Sequence, residues 1–155
     1  GNIDIKNIDI NYLRSRINYV NQRTLLFSKS VIDNMRYGND KTEKEIISLL
    51  NKYDLLNVFS KLNNGIYSNS GVDGNNLSLG MQKIVIIVRA ILKVNDNLII
   101  IFDEPLAGLD QLTRKKVMKL IMSECKNKTI IIITHDKEIL PYMNKTINLQ
   151  SLKRN

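Results

Sequence analysis

The sequence has no tryptophan, one cysteine (Cys125), one histidine (His135), two prolines and seven glycines. A single thiol excludes an internal disulfide framework and fits a reducing compartment. No zinc-finger spacing, RNA-binding aromatic motif or lysine–arginine block is present. Apolar runs such as Leu98 to Phe102 fall far short of the ~20 residues that cross a bilayer. No signal-peptide pattern opens the chain, and its first residue is Gly1 rather than methionine.

What is present is an ordinary globular balance: 155 residues, 43% hydrophobic and 25% charged. That length suggests one domain, able to bury about two-thirds of its unfolded surface. The net charge is +8. Lysine, asparagine and isoleucine are all over-used, so the charge reads as compositional bias, and no nucleic-acid partner is expected. The densest basic patch, Arg114, Lys115, Lys116 and Lys119, falls on the expected wet face of a helix.

Along the chain, Ile3, Ile5, Ile8 and Ile10 alternate, predicting an extended edge segment with a turn near Lys6-Asn7. Ile17 to Val20 reads as a short strand. Ser30 and Asp33 predict a short helix ending at Gly38. Thr42 and Glu45 form a capping-box pattern ahead of Ile46, Ile47, Leu49 and Leu50. A second helix is expected over about 54–61, and turn formers mark 63–65 and 68–76 as loops. Ser78 then caps a helix running to Leu92. Leu98–Phe102 has the signature of a strand buried on both faces. Asp110 caps a helix over about 111–125, Ile130–Ile133 is a second buried strand, and a short helix near 137–142 precedes a strand near 146–149. This alternation argues for parallel βαβ units.

The sharpest chemical feature is the pair Asp103-Glu104 directly after the apolar run. In open α/β sheets ligands sit beyond the carboxyl ends of strands. There Asp103 can hold a magnesium ion, usually through water, and Glu104 can orient or deprotonate a water aimed at a γ-phosphate. The plainer alternative is that both are turn residues. Their neighbours argue otherwise: Leu77-Ser78-Leu79-Gly80-Met81-Gln82 opens a helix upstream, and Ile133-Thr134-His135-Asp136 follows the next strand. A helix N-terminus with Ser78 and Gly80 suits a phosphate, although Ser78 and Asp110 are equally ordinary N-caps. His135, a lone histidine, would more often be bland surface or a satisfied interior residue. Directly after a buried strand it is expected to point into the same crevice as Glu104. Cys125, with no partner pattern, reads as inert core.

Together these segments resemble the ATP-binding cassette (ABC) ATPases over nearly the whole chain. On that resemblance Gln22, in Tyr19-Val20-Asn21-Gln22, is the Q-loop glutamine that touches metal or attacking water. Leu26-Phe27-Ser28 through Tyr37-Gly38 resembles the exporter form of the following loop, and Ser70–Gly74 the loop before the signature, with Val72 replacing the usual glutamate. Leu77–Met81 resembles the signature motif, Leu79 and Met81 departing from the family's glycine and glutamine. Asp103 and Glu104 match the Walker B aspartate and catalytic glutamate, Ala107–Asp110 the D-loop, and His135 the switch histidine.

The resemblance implies an α/β, P-loop NTPase-like parallel sheet core with an inserted α-helical subdomain, N-terminally incomplete. The whole chain, 1–155, would be a partial ABC ATPase domain, its core 1–23 and 89–155 and its helical and signature subdomain 24–88. The implied function is the nucleotide-binding, ATP-hydrolysing portion of an ABC transporter. Catalytic roles fall to Glu104, His135 and Gln22, metal contacts to Asp103 and Gln22, and nucleotide contacts to Ser78, Gly80 and Asp110. ATP and Mg2+ are the implied cofactors. A transmembrane domain, in the same or a separate chain, and a second cassette in a head-to-tail dimer are the implied partners, at the cytoplasmic face of a membrane.

None of the seven glycines lies in a G-x-x-x-x-G-K-[S/T] motif, whose amides and lysine cradle the β- and γ-phosphates. Little ATPase activity is therefore expected of these 155 residues alone, and a fragment of a longer product or a truncated gene is expected. An inactive half-cassette acting as a partner-binding or regulatory remnant is the alternative. Soluble relatives in translation or DNA repair fit less well. Ala107-Gly108 stands where the former typically carry Asn-His, and Gln22 and Ser78 lie too close for the long coiled coil of the latter. Direction of transport stays open: Tyr37-Gly38 looks exporter-like, whereas Asp103-Glu104-Pro105-Leu106 and Thr134-His135-Asp136 look importer-like.

Overall fold

A computed structural model describes residues 3–21, 24–93 and 98–149. Its centre is a parallel sheet of β1 (Ile17–Val20), β2 (Ile99–Asp103) and β3 (Thr129–Ile133), in that order. The register sets Tyr19 beside Ile101 and Ile101 beside Ile131, so the carboxyl ends of all three strands come to one edge.

Among the described residues, five α-helices surround or extend this sheet: α1 (Ile10–Arg16), α2 (Val31–Arg36), α3 (Glu43–Lys52), α4 (Leu79–Leu92) and α5 (Gln111–Glu124). Their starts follow side-chain chemistry. Ser30, Ser78 and Asp110 each accept the backbone N–H three residues on, and Thr42 with Glu45 closes a reciprocal capping box. Helix α4 is buried almost all round, from Met81 through Ile84–Val88 to Ile91, because it packs on α2, β1 and α5. Around 54–61 the chain forms a 3₁₀ helix, Leu56–Lys61, and the expected short helix at 137–142 is another, Lys137–Tyr142.

The structure corrects several expectations. Residues 3–10 are not an extended edge. Asp4 caps a 3₁₀ turn (Ile5–Asn7) and Asp9 caps α1 by accepting from the Tyr12 N–H at 2.8 Å. Two aspartates spaced to bond their own chain turn it despite the alternating isoleucines. Residues 146–149 form no strand; alternation specifies a face but supplies no neighbour to pair with. Neither β2 nor β3 is buried on both faces. Ile100 and Phe102 are fully buried beneath the helices, whereas Ile131 and Ile133 on the opposite face are 44% and 49% exposed. Nor are all four basic residues of α5 merely solvated: Arg114 pairs with Asp136, and Lys116 with Asp54.

Candidate functional site

At the carboxyl edge of the sheet, Asp103 ends β2 and Glu104 turns the chain out of it. Glu104 has φ +47°, a left-handed conformation costly for a long side chain, and its N–H donates to the Ile133 carbonyl at 2.9 Å. The turn throws its carboxylate toward the loop after β3. There Oε1 accepts from the His135 N–H at 2.9 Å and Oε2 from the Thr134 hydroxyl at 3.0 Å. His135 thus meets Glu104 through its backbone, its own residue standing exposed. On the other side, the Tyr19 hydroxyl donates to Asp103 Oδ2 at 3.1 Å. That bond, with burial and the Asp103 charge, pushes the Tyr19 pKa up.

A second group sets Ser78 and Gly80, at the start of α4, against Gly108 and Leu109, the residues just before Asp110. Ser78 Oγ accepts the Met81 N–H at 3.2 Å. Asp110 accepts the Thr113 N–H at 3.0 Å and the Thr113 hydroxyl at 2.6 Å, and these bonds, the hydroxyl's first, hold its carboxyl below the usual range. Gly80 lets the loop after β2 press on α4: a Cβ there would lie 3.2 Å from Leu109 Cδ2 and 3.4 Å from the Gly108 carbonyl. Gly108 itself sits at φ +80°, which glycine adopts at little cost. Leu79, at the α4 N-terminus, is 75% exposed.

The structure therefore joins Glu104, next to Asp103, to the His135 backbone, and sets Ser78 and Gly80 against the loop that leads into Asp110. Gln22 lies outside the described residues. Sequence reasoning missed four participants. Tyr19 and Thr134 stand in the sequence only as neighbours of Gln22 and His135, and Arg114 only as part of a basic patch. Lys83 feels the charges of both Asp103 and Glu104, yet burial is the larger influence and lowers its pKa. Its position one turn into α4 was the only signal for it.

The donor set suits magnesium, a hard cation that takes carboxylate oxygens and retains water. Among the described residues no group of three or more ligating side chains is assembled. A cavity of about 560 Å³ lies elsewhere, lined by Arg14, Asn18, Asp40, Lys41 and Lys93 among others. Among the described residues no helix is long and apolar enough to cross a membrane.

Residues 1–107 match the family model described as ABC transporter. The chain is 36% identical over 147 residues to ABC transporter ATM1 of Plasmodium falciparum, covering 94% of this chain and 14% of that protein. It is 34% identical over 133 residues to the ATP-dependent lipid A-core flippase of Desulfotalea psychrophila, covering 85% of this chain and 23% of that one. Among solved structures, a bacterial Atm1-family ABC exporter with ATP bound superposes with a TM-score of 0.75 at 25% identity, over 88% of this chain and 24% of that chain. The chain thus spans less than a quarter of the length of these relatives.

Proposed function

The chain belongs to the ABC transporter family, and we propose that it supplies the hydrolytic and signature portion of an exporter-type nucleotide-binding domain. The observation that carries this reading is the joining of two strand ends: Glu104 after β2 is held by Thr134 and His135 after β3. Asp103 would hold Mg2+ through water, with Tyr19 fixing its carboxylate and Gln22 as a further contact. The metal, when bound with ATP, supplies charge neutralisation at the β- and γ-phosphates. Glu104 orients or deprotonates the attacking water, and His135 holds it in line. Ser78, Gly80 and Asp110 face the nucleotide of a second cassette packed head to tail. A core of 1–23 and 89–155, with 24–88 as helical and signature subdomain, couples that cycle to a transmembrane domain at the cytoplasmic face. The exporter assignment is supported by the Atm1-family exporter and flippase relatives.

The test is Mg-ATP turnover by these 155 residues alone and by the polypeptide encoded with its flanking sequence. Little turnover is expected of the former. Turnover by the latter should fall about a hundredfold or more in Glu104→Gln, the size of loss typical when a general base is removed. Robust hydrolysis by the 155 residues, abolished by the same change, would overturn the half-site reading. One observation favours the partner-binding alternative: Leu79 projects from the α4 N-terminus where a phosphate would approach. That alternative predicts association with a complete cassette and no turnover in either form.

A further inference from the structure

We propose that Arg114 is a positioning residue that ties the loop after β2 to the loop after β3 and so holds Glu104 in place. The inference rests on the role given to Glu104 above. Arg114 Nε donates to the Leu109 carbonyl at 3.0 Å, and Nη1 donates to Asp136 Oδ2 at 2.8 Å, with Glu138 Oε2 at 3.7 Å. Asp136 in turn donates its N–H to Thr134 Oγ1 at 2.9 Å. The same hydroxyl donates its proton to Glu104 Oε2. Leu109 lies against Gly80 at the start of α4. An unbroken path of contacts therefore runs from the N-terminal end of α4, through Leu109, Arg114, Asp136 and Thr134, to the Glu104 carboxylate.

Two features argue that this path is the reason for an arginine here. A cation near the N-terminal end of α5 opposes the helix dipole, so helix stability does not account for it. A guanidinium presents several donors in a planar fork, which lets one group hold a carbonyl on one side and a carboxylate on the other. The Arg114 side chain is 31% exposed and that of Asp136 18%, so the pair is partly shielded from salt. A displacement of the loop at Leu109 is thereby transmitted to the Thr134–His135 segment that grips Glu104.

The reporter is the His135 amide, whose bond to Glu104 protects it from exchange in the isotopically labelled chain. Arg114→Met is expected to speed its exchange about tenfold, leaving the Asp110-capped Thr113 amide within about twofold. Arg114→Lys, which keeps a charge for Asp136 without the fork, should recover part of the protection. Unchanged His135 exchange in folded Arg114→Met overturns the relay. Equal acceleration at Thr113 also overturns it, because the substitution would then merely fray α5. If Arg114→Met does not fold, Asp136→Asn decides; it keeps the acceptor for the Glu138 N–H and removes the charge facing Arg114. It must accelerate His135 exchange in the same way, and a wild-type rate overturns the proposal. No readout uses nucleotide, so absence of ATP turnover and failure of the relay are separate results.

Discussion

Buried between α2 and α4, the Arg89 guanidinium donates from Nε to the Asn34 carbonyl and from Nη2 to Asn34 Oδ1, both at 2.7 Å. It also lies over the rings of Phe27 and Tyr37 at 5.4 and 5.6 Å. Asn34 extends the network by donating to the Phe27 and Ser30 carbonyls and to Ser70 Oγ. Burial lowers the Arg89 pKa, yet arginine remains charged and its charge is answered by carbonyl dipoles and aromatic faces. Arg89→Met leaves buried Asn34 oxygens short of donors, so a loss of about 2–4 kcal/mol is expected in urea unfolding. Asn34→Ala should cost a similar amount, and the double variant less than the sum, because the two share one network. The sequence carried no sign of this, because Arg89 and Asn34 lie 55 positions apart in the chain. Cys125 was legible by contrast, and its thiol, pushed up to about 12 chiefly by burial, is the inert core group its lack of partners implied.

Helix starts were the elements most legible in the sequence, because a cap is a local bond between residues two or three apart. In α3, Glu45 accepts the Thr42 N–H at 2.8 Å and pairs with Lys41 at 2.9 Å. The backbone bond first, and then Lys41, pull its pKa from 4.5 to about 2. A carboxyl with a depressed folded pKa contributes in full above its unfolded value and loses that contribution as pH falls through the folded one. The Glu45 carboxyl resonance should therefore titrate near 2, and the start of α3 should loosen only as pH falls from about 4.5 toward that midpoint. A midpoint at the ordinary glutamate value would show the box open in solution. Residues 3–10 and 146–149 were misread for a related reason. Alternation is a weak local pattern, overridden at Asp4 and Asp9 by Asx bonds and left without a neighbour at the far end.

Across the whole molecule the two faces of the sheet differ. Phe102 and Ile100 are sealed under the helices, while Ile131, Ile133 and Tyr19 are open on the other side. Phe102→Ala should therefore cost about 3–5 kcal/mol, the usual range for a buried phenylalanine. Ile131→Thr should change stability by no more than about 0.5 kcal/mol and reduce light scattering on concentration, since it breaks an exposed apolar patch on an edge strand. A loss comparable to that of Phe102→Ala would mean that this face is covered in solution. The order of elements from β1 to β3, the caps of α2 to α5, and the adjacency of Asp103 and Glu104 to a strand end were determined by the sequence alone. Each depends on residues close together in the chain. Only the tertiary structure decided that Glu104 is gripped from Thr134 and His135, that Tyr19 holds Asp103, and that Arg114 links two loops. Leu109 apart, which lies five positions from Arg114, those partners are tens of residues distant, and only the parallel register of β1, β2 and β3 brings their strand ends to one edge.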